Sequence, residues 1–380
     1  MFKAKHSPLV WVNAKRLLFP VLAAFLVACR DDSALSKQEV FFDSPAATEE
    51  FFPRAEPGTA GIERGTLVRL VAEARNTHSS ALIVIKDGRV IVERYFGHPI
   101  KHPLRINSVT KSIVSLAIGQ LIEDGEIPSL DTPISRWFPE WSGGKKAKIT
   151  LRHILTHTSG LAHDESAAKL YQQSDVVSYA RGLPVVDEPG KVFSYSNEAV
   201  ALIPGIVLAA SGKTLDIYLR DRLFKPFGIT DYNWDRDAAG NAMAYGGLWL
   251  LPRDLARIGQ LMVDSGRWEK ERLVSAAWVR ASTSPARADI PGYGLLWRLY
   301  PGIKGSAAAA GGFGGDGWLG QYLIIYPEQR LVAVRLHSIE YANDESENRK
   351  CGFPAFQELV AAMVQPGTAD RSEKYKVEVH

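Results

Sequence analysis

The chain has 380 residues, of which 46% are hydrophobic and 23% charged, with only two cysteines. This composition supports a large buried core and excludes disordered, fibrous and disulfide-framework classes. The formal charge of +3 comes from residues 1–28, which hold four basic side chains and no acid; the remaining 41 basic and 42 acidic residues give −1, so nothing points to nucleic acid.

Basic residues through Lys15 and Arg16 precede the apolar run LLFPVLAAFLVAC, which is too short to span a membrane comfortably. The run ends in Leu26-Val27-Ala28-Cys29, which resembles the bacterial lipobox. Residues 1–28 are therefore expected to be a lipoprotein signal peptide, and Cys29 the lipidated first residue of an envelope protein anchored in a membrane. Arg30, in place of a retention Asp, favours the outer membrane or periplasmic side. Cys351 is left without a partner and reads as a small structural thiol. Residues 29–60, with Phe pairs at 41–42 and 51–52, read as a tether.

A single domain is expected over 61–365, with a charged tail at 366–380. Residues 61–74 have helical amphipathicity, and 80–97 read as a hairpin around Asp87-Gly88. Val109, Ile113, Leu116 and Leu121 recur at helical spacing from about Ser108 onward, predicting an amphipathic, largely buried helix. From about 125 to 280 the pattern is mostly helical, broken by Gly and Pro. Strands return at 293–300 and in a hairpin over 321–338, and a closing helix covers 354–364. Strands at both ends of the chain with helices between them predict an α+β fold: an antiparallel sheet built from both termini, flanked by helices, with an inserted helical lobe.

Within that frame, Ser108 stands one turn before Lys111, so the two share a helix face. A lysine in an apolar face is costly unless its charge is paired or given up. A neutral lysine beside a serine hydroxyl makes a nucleophile. Three further stretches accompany the pair: SYSN at 194–197, the segments 149–161 and 252–266 framing the helical region, and the Gly-rich GGFGGDGWLGQYLIIYP at 311–327. Together, in this order and spacing, they resemble the serine β-lactamase and DD-peptidase superfamily in its class C-like and esterase branch. Within that branch the chain is similar to the 6-aminohexanoate-oligomer hydrolase type, over about residues 57–365.

The resemblance implies a β-lactamase/transpeptidase-like fold and an acyl-enzyme mechanism on a small ester or amide substrate, without metal or other cofactor. By position, Ser108 matches the nucleophile, Lys111 its base, Tyr195 the proton shuttle, and Asn197 an amide that orients Lys111 or the substrate. The oxyanion N–H groups fall on Ser108 and Trp318. The strand triplet of the family reads Gly315-Asp316-Gly317 here, without its basic first residue. An acidic Asp316 at this point of substrate contact, flanked by Gly317, would disfavour anions and raise the pKa of Lys111. Neutral or cationic esters and amides then fit better than β-lactams or peptidoglycan peptides. Those substrates remain an alternative reading, as does a non-catalytic binding or covalent-sensor lipoprotein. His153 and His157, four apart, read as structural rather than as zinc ligands, and His163-Asp164-Glu165 as a solvated loop. Lys304 reads as a loop lysine, and Tyr171 and Tyr245 as possible neighbours of the pocket. Trp249, Trp268, Trp278 and Trp297 read as core or interface aromatics.

Overall fold

The computed structural model describes Phe41 and residues 52–97, 102–164, 166–300, 311–338 and 356–363. The expected signal peptide, Cys29, Lys304, Cys351 and the tail lie outside the described residues. Among the described residues the strands are, in chain order, β1 (Ser79–Lys86), β2 (Arg89–Tyr95), β3 (Leu104–Arg105), β4 (Tyr232–Trp234), β5 (Leu248–Leu250), β6 (Arg267–Trp268), β7 (Glu271–Arg272), β8 (Arg298–Tyr300), β9 (Gly312–Gly317), β10 (Gln321–Tyr326) and β11 (Leu331–His337). Six form one antiparallel sheet in the order β2-β1-β11-β10-β9-β8, joining both ends of the domain. The β1–β2 turn falls where the alternation predicts it, on Asp87 and Gly88, both with positive φ, as a tight hairpin requires.

The sheet is covered on both faces, which is why β1 reads as an apolar run. Ala81, Ile83 and Ile85 face one core, while Leu82 and Val84 face the other. The second face is covered by α1 (Arg64–Asn76), through Leu67 and Leu70, and by the closing helix Phe356–Met363. On the first face lies α2 (Val109–Glu123). The amphipathic reading of α2 needs correction: every residue from Val109 through Leu121 is buried, because sheet, helices and the Trp278 ring enclose it on all sides.

Two further differences from the sequence reading have local causes. The region read as helical also holds β4 and β5 of a small sheet, β3-β5-β4, whose strands of two or three residues are too short to show alternation. The strand expected over 293–300 is confined to Arg298–Tyr300. Before it, Leu295 and Leu296 give their N–H groups to Ser282 and Leu155, and Leu296 has a positive φ of 61°. The backbone there is spent on neighbouring helices rather than on the sheet.

Candidate active site

Ser108 sits at the N-terminal boundary of α2, immediately after Asn107, which adopts φ 47°. A serine at this position ordinarily caps the helix with its own hydroxyl. Ser108 makes no such bond; its Oγ is instead approached at 2.9 Å by Lys111 Nζ. Lys111 is 1% exposed, and its second contact is the Tyr245 backbone carbonyl at 2.6 Å. Burial, the largest influence, lowers the Lys111 pKa, against the opposing effects of the Tyr195 phenol and the Glu198 carboxylate. The lysine is thereby pushed toward the neutral form that can accept a proton.

Tyr195 reaches the same place from a loop after Ser194, its ring 4.9 Å from Lys111 Nζ. His157, just beyond α3 (Leu151–Leu155), holds that loop. Its carbonyl accepts the Ser194 N–H, its Nδ1 accepts the Ser196 N–H at 3.1 Å, and its ring lies 4.4 Å from that of Tyr195. Asn197 opens the following short helix, Asn197–Val200, and among the described residues its side chain makes no hydrogen bond to Lys111. The adjacent Glu198, 1% exposed, acts on Lys111 beside Tyr195.

Strand β9 passes close to the Ser108 turn. A methyl group on Gly315 would sit 2.9 Å from Val109, and one on Gly317 2.7 Å from the Ile106 carbonyl. Only glycine permits that approach. Asn107 Nδ2 then donates to the Trp318 carbonyl at 2.9 Å, tying the turn after β9 to the turn before α2. Among the described residues the N–H groups of Ser108 and Trp318 donate to no protein acceptor. The following residue, Leu319, has φ 65°, and its carbonyl and that of Gly320 are held by the fully buried Arg335 at 2.9 and 2.7 Å. Ser108, Tyr195, Tyr293, Leu296, Arg298 and Gly315 line a small cleft.

The expectation that Asp316 raises the pKa of Lys111 is corrected. Gly315 and Gly317 face α2, so strand alternation turns the Asp316 side chain to the opposite face. There it pairs with Arg298 at 2.7 Å and accepts hydrogen bonds from Tyr300 and Gln357. Burial raises its pKa, while Tyr300 and Arg298 oppose that shift. The carboxylate borders the cleft already paired, and the groups acting on Lys111 are Tyr195 and Glu198.

Among the described residues no group of three or more His, Cys, Asp or Glu is placed to hold a metal. His153 accepts the Thr150 N–H in a capping box, and His163 bonds Ser194, while Glu165 lies outside the described residues. Tyr171, 41% exposed, packs at 5.2 Å on Tyr245. Tyr245 itself is 1% exposed and serves Lys111 through its backbone. Trp278 and Trp297 are core residues, Trp268 packs on Phe227, and Trp249 donates to Asp235. The sequence reading did not find Arg298, Glu198 or Arg335. Their roles come from partners far away in the chain, and no local spacing signals them.

The family model Beta-lactamase matches residues 66–350. Esterase EstB of Burkholderia gladioli is 30% identical over 185 residues, covering 43% of this chain and 47% of EstB. The D-alanyl-D-alanine-carboxypeptidase/endopeptidase AmpH of Escherichia coli K12 is 24% identical over 302 residues, 67% of this chain and 77% of AmpH. The chain thus spans less than half of some curated relatives and about three quarters of others. Among solved structures, a provisionally assigned 6-aminohexanoate-dimer hydrolase from Bacillus anthracis superposes with a TM-score of 0.68 at 21% identity, over 82% of this chain and 87% of that one. The α+β fold is therefore β-lactamase/transpeptidase-like, and the chain belongs to the beta-lactamase family.

Proposed function

We propose that the protein cleaves ester or amide bonds of small substrates through an acyl-enzyme on Ser108. One observation carries this reading: a fully buried lysine with a lowered pKa lies 2.9 Å from the hydroxyl of a serine that does not cap its own helix. Ser108 Oγ attacks the acyl carbon and its proton passes to Lys111 Nζ. The oxyanion that forms takes hydrogen bonds from the N–H groups of Ser108 and Trp318, with the N-terminus of α2 adding its dipole. Tyr195 delivers a proton to the leaving oxygen or nitrogen. Water then attacks the acyl-enzyme, and the same groups run in reverse to release the acid and restore Ser108.

The test is turnover of short-chain p-nitrophenyl esters by the chain from Asp31 onward, beside Ser108→Ala. Hydrolysis that disappears in the variant supports the reading. No hydrolysis and no covalent adduct in either protein overturns it.

The likeness to AmpH favours a second reading, carboxypeptidase or β-lactamase activity on D-alanyl peptides and β-lactams. Gly315, in place of the basic residue that penicillin-recognising relatives carry, weighs against it. Nitrocefin turnover or a stable penicillin adduct on Ser108 decides between the two. We further propose, from residues 1–29 alone, that the mature chain is held at a bacterial envelope membrane by lipid on Cys29. Incorporation of a palmitate analogue that is lost in Cys29→Ser checks this.

A further inference from the structure

Tyr293 is a polar group on the cleft wall that the proposed reaction does not use. Tyr293 is 6% exposed and lines the cleft beside Ser108 and Tyr195. Its ring stands edge-on to that of Tyr195, 6.4 Å between centroids. The hydroxyl oxygen of Tyr293 is 3.1 Å from His157 Nε2.

The direction of that bond follows from the other side of the imidazole. His157 is 1% exposed, and burial followed by the Lys111 charge holds its pKa well below the usual value, so the ring is neutral. Its Nδ1 accepts the Ser196 N–H, which leaves the single ring proton on Nε2. Nε2–H therefore donates to the Tyr293 oxygen, and the Tyr293 proton cannot go to His157. Among the described residues no acceptor receives it. Burial raises the Tyr293 pKa well above its usual value, so the phenol keeps this proton. A buried donor without an acceptor is costly, and such groups are satisfied by solvent or ligand.

We infer that Tyr293 is a substrate-contact residue whose hydroxyl donates a hydrogen bond to an acceptor oxygen carried by the leaving group. The inference rests on the acyl-enzyme reading above. In that reading the scissile carbonyl oxygen belongs to the Ser108 and Trp318 N–H groups and the departing atom to Tyr195. Tyr293 therefore meets an acceptor one or two bonds beyond the bond that breaks. The substrate class is esters or amides of hydroxy- or amino-carbonyl compounds rather than of simple alkanols or alkylamines. His157 acts as the positioning residue that turns the Tyr293 donor outward.

The experiment compares two butyrate esters in a pH-stat: methyl O-butyrylglycolate, whose leaving group carries a carbonyl, and propyl butyrate, whose leaving group has none. Tyr293→Phe should lower kcat/KM for the glycolate by about tenfold and leave propyl butyrate within about twofold. Equal losses on both esters, or no loss on either, overturn the inference. Fluorophosphonate labelling of Ser108 is followed in both proteins. Labelling of wild type with unchanged selectivity in the variant removes this inference alone, whereas no labelling of wild type removes the acyl-enzyme reading with it. A measurement on wild type guards against misfolding of the variant. Methyl glycolate should slow labelling at roughly a tenth of the concentration that 1-propanol needs, and equal potency counts against the inference.

Discussion

Gly317 runs so close to Ile106 that a methyl group added to it would lie 2.7 Å from the Ile106 carbonyl oxygen. The contact sets the distance between the strand that leads to Trp318 and the turn that presents Ser108. Gly317→Ala must push the two apart. We expect kcat/KM to fall roughly 10²-fold, since displacements near 1 Å cost that much at a positioned site, with a stability loss of about 1–3 kcal/mol from overpacking. Gly182→Ala, where the added methyl meets nothing within 4 Å, is the control and should leave both unchanged or slightly improved. Steady-state kinetics and thermal melts on the two variants check this.

Lys111 links activity and stability through pH. Its folded pKa lies below 10.5, so between that lowered value and the ordinary one the unfolded chain binds a proton that the folded protein does not. Stability contributed by this group therefore rises with pH across that window and is lowest below it. Lys111→Met should abolish turnover, flatten this dependence, and stabilise the fold near neutral pH by about 1 kcal/mol. Urea unfolding at several pH values, beside esterase assays, is the measurement. An unchanged slope in the variant would show that Lys111 is not the group responsible.

The Arg298–Asp316 pair balances charge at the cleft. Arg298 is 48% exposed and lines the pocket, while Asp316 is the partner that neutralises it. Asp316→Asn leaves the guanidinium uncompensated. We expect KM for an anionic ester, such as a p-nitrophenyl hemisuccinate, to fall about 3–10-fold relative to p-nitrophenyl butyrate, with the difference shrinking as salt rises from 0.05 to 0.5 M (roughly a threefold change in Debye length). Identical KM changes for both esters would contradict the pairing argument.

Glu93 and Arg253 form a two-contact ion pair joining β2 to the helix Pro252–Val263, at 2.5 and 3.0 Å, with Tyr95 donating to the same carboxylate. Glu93 is 5% exposed, so removing the arginine strands a buried charge. Arg253→Ala should cost about 3–5 kcal/mol, and Glu93→Leu combined with Arg253→Met clearly less. Denaturant midpoints of the single and double variants test the order.

The legible parts of this protein are those written locally. The β1–β2 hairpin showed in two β-branched runs around Asp87-Gly88, and β10–β11 in a similar pattern. Ser108 and Lys111, three residues apart, carried their own chemical oddity. Tyr195 became legible only through the resemblance, because nothing in SYSN alone says that His157 will carry its loop. The effect of Asp316 on Lys111 was misread for a physical reason: a strand residue faces one side or the other, and its parity relative to Gly315 and Gly317 is visible only when their contacts are known. Arg335 was invisible for a related one. Its carbonyl partners Leu319 and Gly320 lie 16 and 15 residues earlier, and Thr77 258 residues earlier. No window on the sequence spans such distances.

The pairing of β1 with β11 has a consequence for biogenesis. Ile83 meets Val334 in register, so β1 acquires that neighbour only after some 250 further residues have been made. Until then the apolar edge of β1 is open, and loop closure over that length makes the pairing slow. The turn at Trp318 belongs to the same late-arriving segment. A nascent or truncated chain ending before β9 therefore holds Ser108 and Lys111 without Trp318 and its turn, and cannot assemble the full site. Hydrolytic competence should appear in one late step, when the C-terminal hairpin docks, and the sticky edge of β1 before that step makes the growing chain a client for holding chaperones.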